Sequence, residues 1–149
     1  MKLITSKIAT RKKTGRRLPY TGLLTLLVLF SGMSNANEYL DQLHQQTKQS
    51  DIGFSGFSAT RGESLFVTQF GTGKPNTPAC TSCHDKNPTL PGKTRAGKPI
   101  EPMAISVNPQ RYTDTAKINK WFGRNCRSVL GRECTLIEKG DFLTYMISL

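Results

Sequence analysis

Cys80-Thr81-Ser82-Cys83-His84 constrains this chain of 149 residues more than any other stretch. Two thiols three residues apart fall on one side of a helical turn, where both can add across the vinyl groups of one haem and form a pair of thioether bonds. The imidazole that follows is carried under the macrocycle, where it can serve as the proximal axial ligand to iron. At the chain's own Cys and His frequencies the pattern arises by accident about once in a thousand such sequences. It predicts one covalent haem c on Cys80 and Cys83 with His84 as iron ligand, and a fold that must wrap a flat, largely apolar disc.

Two other chemistries use the same residue types. A structural zinc site needs a second closely spaced pair of ligands, whereas the remaining cysteines, Cys126 and Cys134, stand eight apart. A thioredoxin-like dithiol sits between a strand and a helix, but here the motif follows the loop Gly71-Thr72-Gly73-Lys74-Pro75-Asn76-Thr77-Pro78.

The N-terminus reads as an export signal. Lys2, Lys7, Arg11, Lys12, Lys13, Arg16 and Arg17 precede the first acidic residue, Glu38, and are followed by the apolar run Leu23 to Phe30 and by Ser34-Asn35-Ala36, small residues of the kind a signal peptidase reads. Residues 1–36 are expected to be a signal peptide cleaved after Ala36, which places the protein in the periplasm and leaves 37–149 as one domain. As a membrane span Leu23 to Phe30 falls well short of the ~20 apolar residues needed to cross a bilayer. Arg16-Arg17 invites comparison with twin-arginine export, but Leu18-Pro19-Tyr20 matches that signal poorly. The leader removes seven of 21 basic residues and none of the ten acidic ones, so the chain's +11 falls to a mild +4.

Within 37–149, apolar residues recur at helical spacing near both ends, and Gly and Pro dominate between. The pattern predicts an all-α domain with a loop-rich middle. A first helix is expected from Ser58 to Phe70, with Leu65, Phe66 and Phe70 on one face and Gly62 where a second helix approaches closely. The last should start at Thr135, which forms a capping box with Glu138 and leads into Phe142, Leu143, Met146 and Ile147. Between them, Thr113 or Asp114 through Arg124 presents Ile118, Trp121 and Phe122 as a face able to cover a haem edge; Glu38 to Lys48 is expected as a polar surface helix. Crossing terminal helices with small residues at the contact resemble class I c-type cytochromes.

Function turns on the sixth iron position, for which Met103, Met146, His44 and Asn125 are available. Met146 belongs to the apolar stripe of the last helix and reads as core, and His44 in its polar segment reads as solvated. On residue type alone Met103, in an extended Pro-Met loop downstream of the motif, competes as a thioether ligand. Cys126 and Cys134, in an oxidising compartment, are expected to pair as a disulfide.

The segments Gly73-Lys74-Pro75-Asn76-Thr77-Pro78-Ala79-Cys80, Thr94-Arg95-Ala96-Gly97-Lys98, Arg111-Tyr112-Thr113-Asp114 and Trp121-Phe122-Gly123-Arg124-Asn125-Cys126, with Cys134 eight residues on, resemble the SHP group, small ligand-binding c-type cytochromes. The likeness runs in order from about Arg61 to Leu149. It implies that Asn125 coordinates ferric iron opposite His84 and leaves on reduction, opening a site for O2 or NO, with Met103 as the alternative ligand. It also implies an electron donor of the dihaem cytochrome c kind, connected to a membrane b-type cytochrome. Lys74, Lys86, Lys93, Arg95 and Lys98 against Asp85 alone would steer an acidic partner. Nucleic acid does not fit an exported chain without aromatic interleaving among its basic residues. An electron carrier that binds gas, a plain His/Met shuttle and a terminal reductase remain as functions; for the last, only Arg124 or Arg127 offers to stabilise a bound anion.

Overall fold

The computed structural model describes residues 35–149; the expected signal peptide, up to residue 34, lies outside the described residues. Among the described residues four helices dominate: α1 (Asn35–Ser50), α2 (Ala59–Val67), α3 (Thr115–Leu130) and α4 (Leu136–Ser148). Between α2 and α3 run a short 3-10 turn, Cys80–Ser82, and a minimal antiparallel hairpin of β1 (Gly92–Lys93) and β2 (Pro99–Ile100). The domain is all-α with a loop-rich middle, as the apolar periodicity predicts.

Local sequence explains where the helices begin. Ser58 caps α2 by accepting from the Arg61 amide, and Asp114 caps α3 by accepting from the Lys117 amide. Thr135 and Glu138 form the expected box at the head of α4, each side chain accepting from the other's backbone N–H. Gly131, at φ 70°, ends α3 in the left-handed conformation.

The α2–α4 crossing forms the centre of the domain. A Cβ on Gly62 would stand 2.1 Å from the Asp141 carbonyl oxygen, so only glycine allows the two helices this close. Asp141 is itself buried, at 4% exposure, and is held by Arg61, whose Nε and NH2 donate to its two oxygens at 2.7 Å, and by the Ser58 amide at 2.7 Å. A buried carboxylate without such partners would be strongly destabilising. Around the crossing lies one core of Tyr39, Leu43, Phe66, Met103, Ile118, Phe142, Leu143, Tyr145 and Met146. Met146 is fully enclosed, in agreement with its expected core role.

Several expectations need correction. The segment Glu38 to Lys48 is not a surface helix: α1 packs on α4 through Ala36, Tyr39, Leu43 and Thr47, all buried. Its stripe is masked because one of the four is a threonine, whose hydroxyl hides by donating to the Leu43 carbonyl at 2.7 Å. His44 is not simply solvated, since its ring packs edge-on against Phe54 at 5.2 Å. The helix α2 stops at Val67 rather than Phe70, and α3 continues past Arg124 to Leu130, taking Asn125 and Cys126 into its last turns. On α3, Ile118 and Phe122 join the core, but Trp121 is 44% exposed beneath the Arg124 guanidinium.

Candidate haem site

The 3-10 turn places the two thiols. The Ser82 amide donates to Ala79 O, the Cys83 and His84 amides both donate to Cys80 O, and Ser82 Oγ accepts from the Ala79 amide. Five consecutive residues are thereby wound into one tight turn with Cys80 and Cys83 as free, half-buried thiols. Gly92 presses on this turn: a Cβ there would lie 2.3 Å from the Cys83 carbonyl oxygen, which also accepts from the Lys93 amide at 2.7 Å. The hairpin thus fastens the motif, and Phe66 of α2 packs beside it with its ring centroid 6.3 Å from that of His84.

Electrostatics select the chemistry available here. Burial pushes the Cys80 thiol up to about 11, so by itself it stays a protonated thiol in a partly apolar setting. Burial, helped by the charge of Arg111, holds His84 down at about 4, which keeps the imidazole neutral and able to donate a lone pair. His84 Nδ1 is buried with no hydrogen-bond partner among the described residues. Such an orphan is expected where a prosthetic group completes the surroundings. Among the described residues no cluster of three or more His, Cys, Asp or Glu side chains gathers into a metal site. Two thiols on one turn, a neutral imidazole and an adjoining core that Cys80 borders fit a covalent haem.

The loop that leads into the motif is tied to the end of α3. The Lys74 amide donates to Ser128 O at 2.7 Å, Thr72 Oγ1 to Leu130 O at 2.8 Å and Thr77 Oγ1 to Ser128 O at 3.2 Å, giving partners to carbonyls that the helix end leaves open. A disulfide joins Cys126 to Cys134, as the sequence predicts, and fastens the last turns of α3 to the residue before the α4 cap. Asn125 sits on this doubly held segment with an exposed side chain that makes no hydrogen bond among the described residues. Met103 is buried in the main core, and its amide donates to Pro88 O at 2.8 Å. A hollow of about 710 Å3 lies elsewhere, on the face of α3 lined by Lys120, Arg124, Arg127 and Cys134.

A family model described as a domain of unknown function, DUF1924, matches residues 52–146. The cytochrome c-type protein SHP of Cereibacter sphaeroides is 51% identical over 88 residues, which span 59% of this chain and 68% of that protein. The solved structure of oxidised SHP, described as an oxygen-binding cytochrome c, superimposes with a TM-score of 0.69 at 40% identity, covering 79% of this chain and all of that one. The chain belongs to the SHP-type c-type cytochromes. Also similar is cytochrome c'' of Methylophilus methylotrophus, whose solution structure was described as giving insight into haem-ligand detachment; it aligns with a TM-score of 0.68 at 30% identity over 79% of this chain and 96% of that one. An SHP-type cytochrome carries haem c covalently, which agrees with the cofactor expected from the motif.

Two residues of this SHP-type domain had no role in the reading of motifs. Arg111 and Tyr112 entered only as part of a matching segment, yet the structure buries the Tyr112 hydroxyl without a partner among the described residues and sets the Arg111 guanidinium 5.9 Å from its ring centroid. No local pattern marks such a placement, because it depends on packing against α4.

Proposed function

We propose that Cys80 and Cys83 hold one haem c in thioether linkage, that His84 is its proximal ligand, and that Asn125 is a displaceable distal ligand whose departure on reduction lets the protein take up O2 or NO. When bound, the haem supplies a one-electron iron centre with a coordination position on its distal side. His84 contributes a neutral imidazole on a turn fixed by its own backbone hydrogen bonds and by the Lys93 amide. Asn125 contributes an uncharged amide, a weak donor that loses ground as iron becomes softer on reduction. The observation that carries this assignment is the contrast at α3: the backbone around Asn125 is held by the 72–77 loop and the Cys126–Cys134 bridge, while the amide itself is tied to nothing among the described residues. A side chain so placed can swing without moving its helix. The relatives' descriptions, one an oxygen-binding cytochrome c and one tied to haem-ligand detachment, support the same behaviour.

His84–Met103 ligation is the alternative, and its support is the burial of Met103 in the core cluster that Cys80 borders. Absorption spectra of the ferric and ferrous protein separate the two. With Asn125 as ligand, the ferrous form is high-spin and binds CO or NO rapidly, Asn125→Ala opens the ferric site to water or added anions, and Met103→Leu changes little. A thioether-to-iron charge-transfer band that Met103→Leu abolishes, with Asn125→Ala silent, would establish the plain electron carrier instead.

We further place the protein in the periplasm after cleavage following Ala36. That cut falls within the first turn of α1, leaving Tyr39, Leu43 and Thr47 to anchor the helix. An intact mass starting at Asn37, with one haem added, is the expected result for exported protein. Lys74, Lys86, Lys93, Arg95 and Lys98 are all exposed around the motif, which supports docking of an acidic donor such as a dihaem cytochrome c linked to a membrane b-type cytochrome.

A further inference from the structure

Among the described residues, two buried side-chain polar atoms lack a hydrogen-bond partner: His84 Nδ1 and the Tyr112 hydroxyl. The first belongs to the expected iron ligand. The second has no role in ligation, and a buried hydroxyl without a partner is costly enough that something must satisfy it. Tyr112 also holds φ 61°, the one positive φ outside glycine among the described residues, a conformation that bulky side chains avoid. The backbone is strained at the residue whose ring is sent inward, edge-on to Phe142 at 6.5 Å and bordering the core cluster that Cys80 also borders.

The neighbouring Arg111 is fixed rather than free. Its NH1 donates to Glu101 O at 2.9 Å and Pro102 O at 3.1 Å, while its other guanidinium donors make no hydrogen bond among the described residues. The guanidinium approaches the Tyr112 phenol without closing a hydrogen bond of sound geometry, and its charge is felt at His84. A spare cationic fork and an unsatisfied O–H beside it call for an anionic oxygen acceptor. Burial raises the phenol well above its ordinary pKa, so the hydroxyl remains a donor at every physiological pH.

We propose that Arg111 and Tyr112 form the carboxylate clamp of this protein, both donating to a haem propionate. Propionates are the anionic groups that haem brings, and where they enter a fold they need charge-assisted partners. A diatomic gas is a poorer match, because it carries no full charge for Arg111 to balance. The proposal rests on haem attachment at Cys80 and Cys83; should haem fail to stay on the denatured wild-type chain, that attachment is refuted before any variant is compared.

The test uses the haem-loaded protein and two infrared readouts, the propionate carboxylate bands in the redox difference spectrum and the C–O stretch of the ferrous CO form. Tyr112→Phe keeps the ring and its packing and removes only the donor. The expected result is a shift of the carboxylate bands with about a tenfold rise in propionate proton affinity, and an unchanged C–O stretch. Arg111→Gln should shift the same bands further, and Arg111→Lys, which keeps charge but loses the fork, should restore part of the change. Unmoved carboxylate bands in either Tyr112→Phe or Arg111→Gln overturn the clamp. A C–O stretch that moves in Tyr112→Phe overturns it too, by assigning the hydroxyl to the distal ligand.

Discussion

Opening the Cys126–Cys134 bridge tests both the stability of the domain and the positioning of Asn125. The bridge closes a short loop, the two cysteines being eight apart in sequence. In the chain-entropy model, fixing nine residues into one loop removes about 2.5 kcal/mol of unfolded-state freedom. Cys126 is also buried against Val129 and Leu130, so truncation to alanine forfeits sulfur packing worth roughly 1 kcal/mol more. The folded shape of the segment should survive, because Arg132 still bridges to both Glu138 oxygens and Thr72 and Lys74 still bond the end of α3. A loss of about 3.5 kcal/mol in a domain of this size corresponds to a fall in Tm of roughly 15 °C. Circular dichroism melts of wild type and C126A/C134A under identical redox conditions measure it. At temperatures well below Tm, the ferric variant should bind added anions faster than wild type, since the backbone beside Asn125 has lost a tether. A fall in Tm under about 3 °C would refute the loop-entropy estimate. A large fall with unchanged ferric ligand binding would show that the bridge stabilises the fold without positioning Asn125.

Gly62→Ala drives a methyl group to 2.1 Å from the Asp141 backbone oxygen, so α2 and α4 must part; the expected loss is roughly 3 kcal/mol or more by chemical denaturation. Gly123→Ala is the matched control, since a Cβ there meets nothing within 4 Å and a helical alanine should be neutral or better by up to ~1 kcal/mol. Glu138 is held below its ordinary pKa by its hydrogen bond from Arg132, against a smaller opposing effect of burial. Its depressed folded pKa means that the stabilisation is complete above the unfolded value near 4.5 and disappears as pH falls through the folded one. Melts should therefore show wild type more stable than Glu138→Gln at pH 7, with the two converging in acid; a gap that widens in acid would contradict the sign.

Much of this protein was determined within short stretches of sequence. The spacing of Cys80, Cys83 and His84 specifies their chemistry because covalent attachment and the axial ligand come from one turn, and Ser58, Asp114, Thr135 and Glu138 mark helix starts because caps act over three residues. The small residue required at Gly62 was legible for the same reason, although its partner Asp141 was not. What only the tertiary structure decided involves partners far apart in the chain. Arg61 meets Asp141 across 80 residues, Thr72 meets Leu130 across 58, and α1 is buried only because α4 returns to cover it. Whether Tyr112 is a surface phenol or a buried, unsatisfied donor has no local signature. Burial depends on which distant atoms exclude water, whereas spacing and capping depend on neighbours that the covalent chain already holds in place.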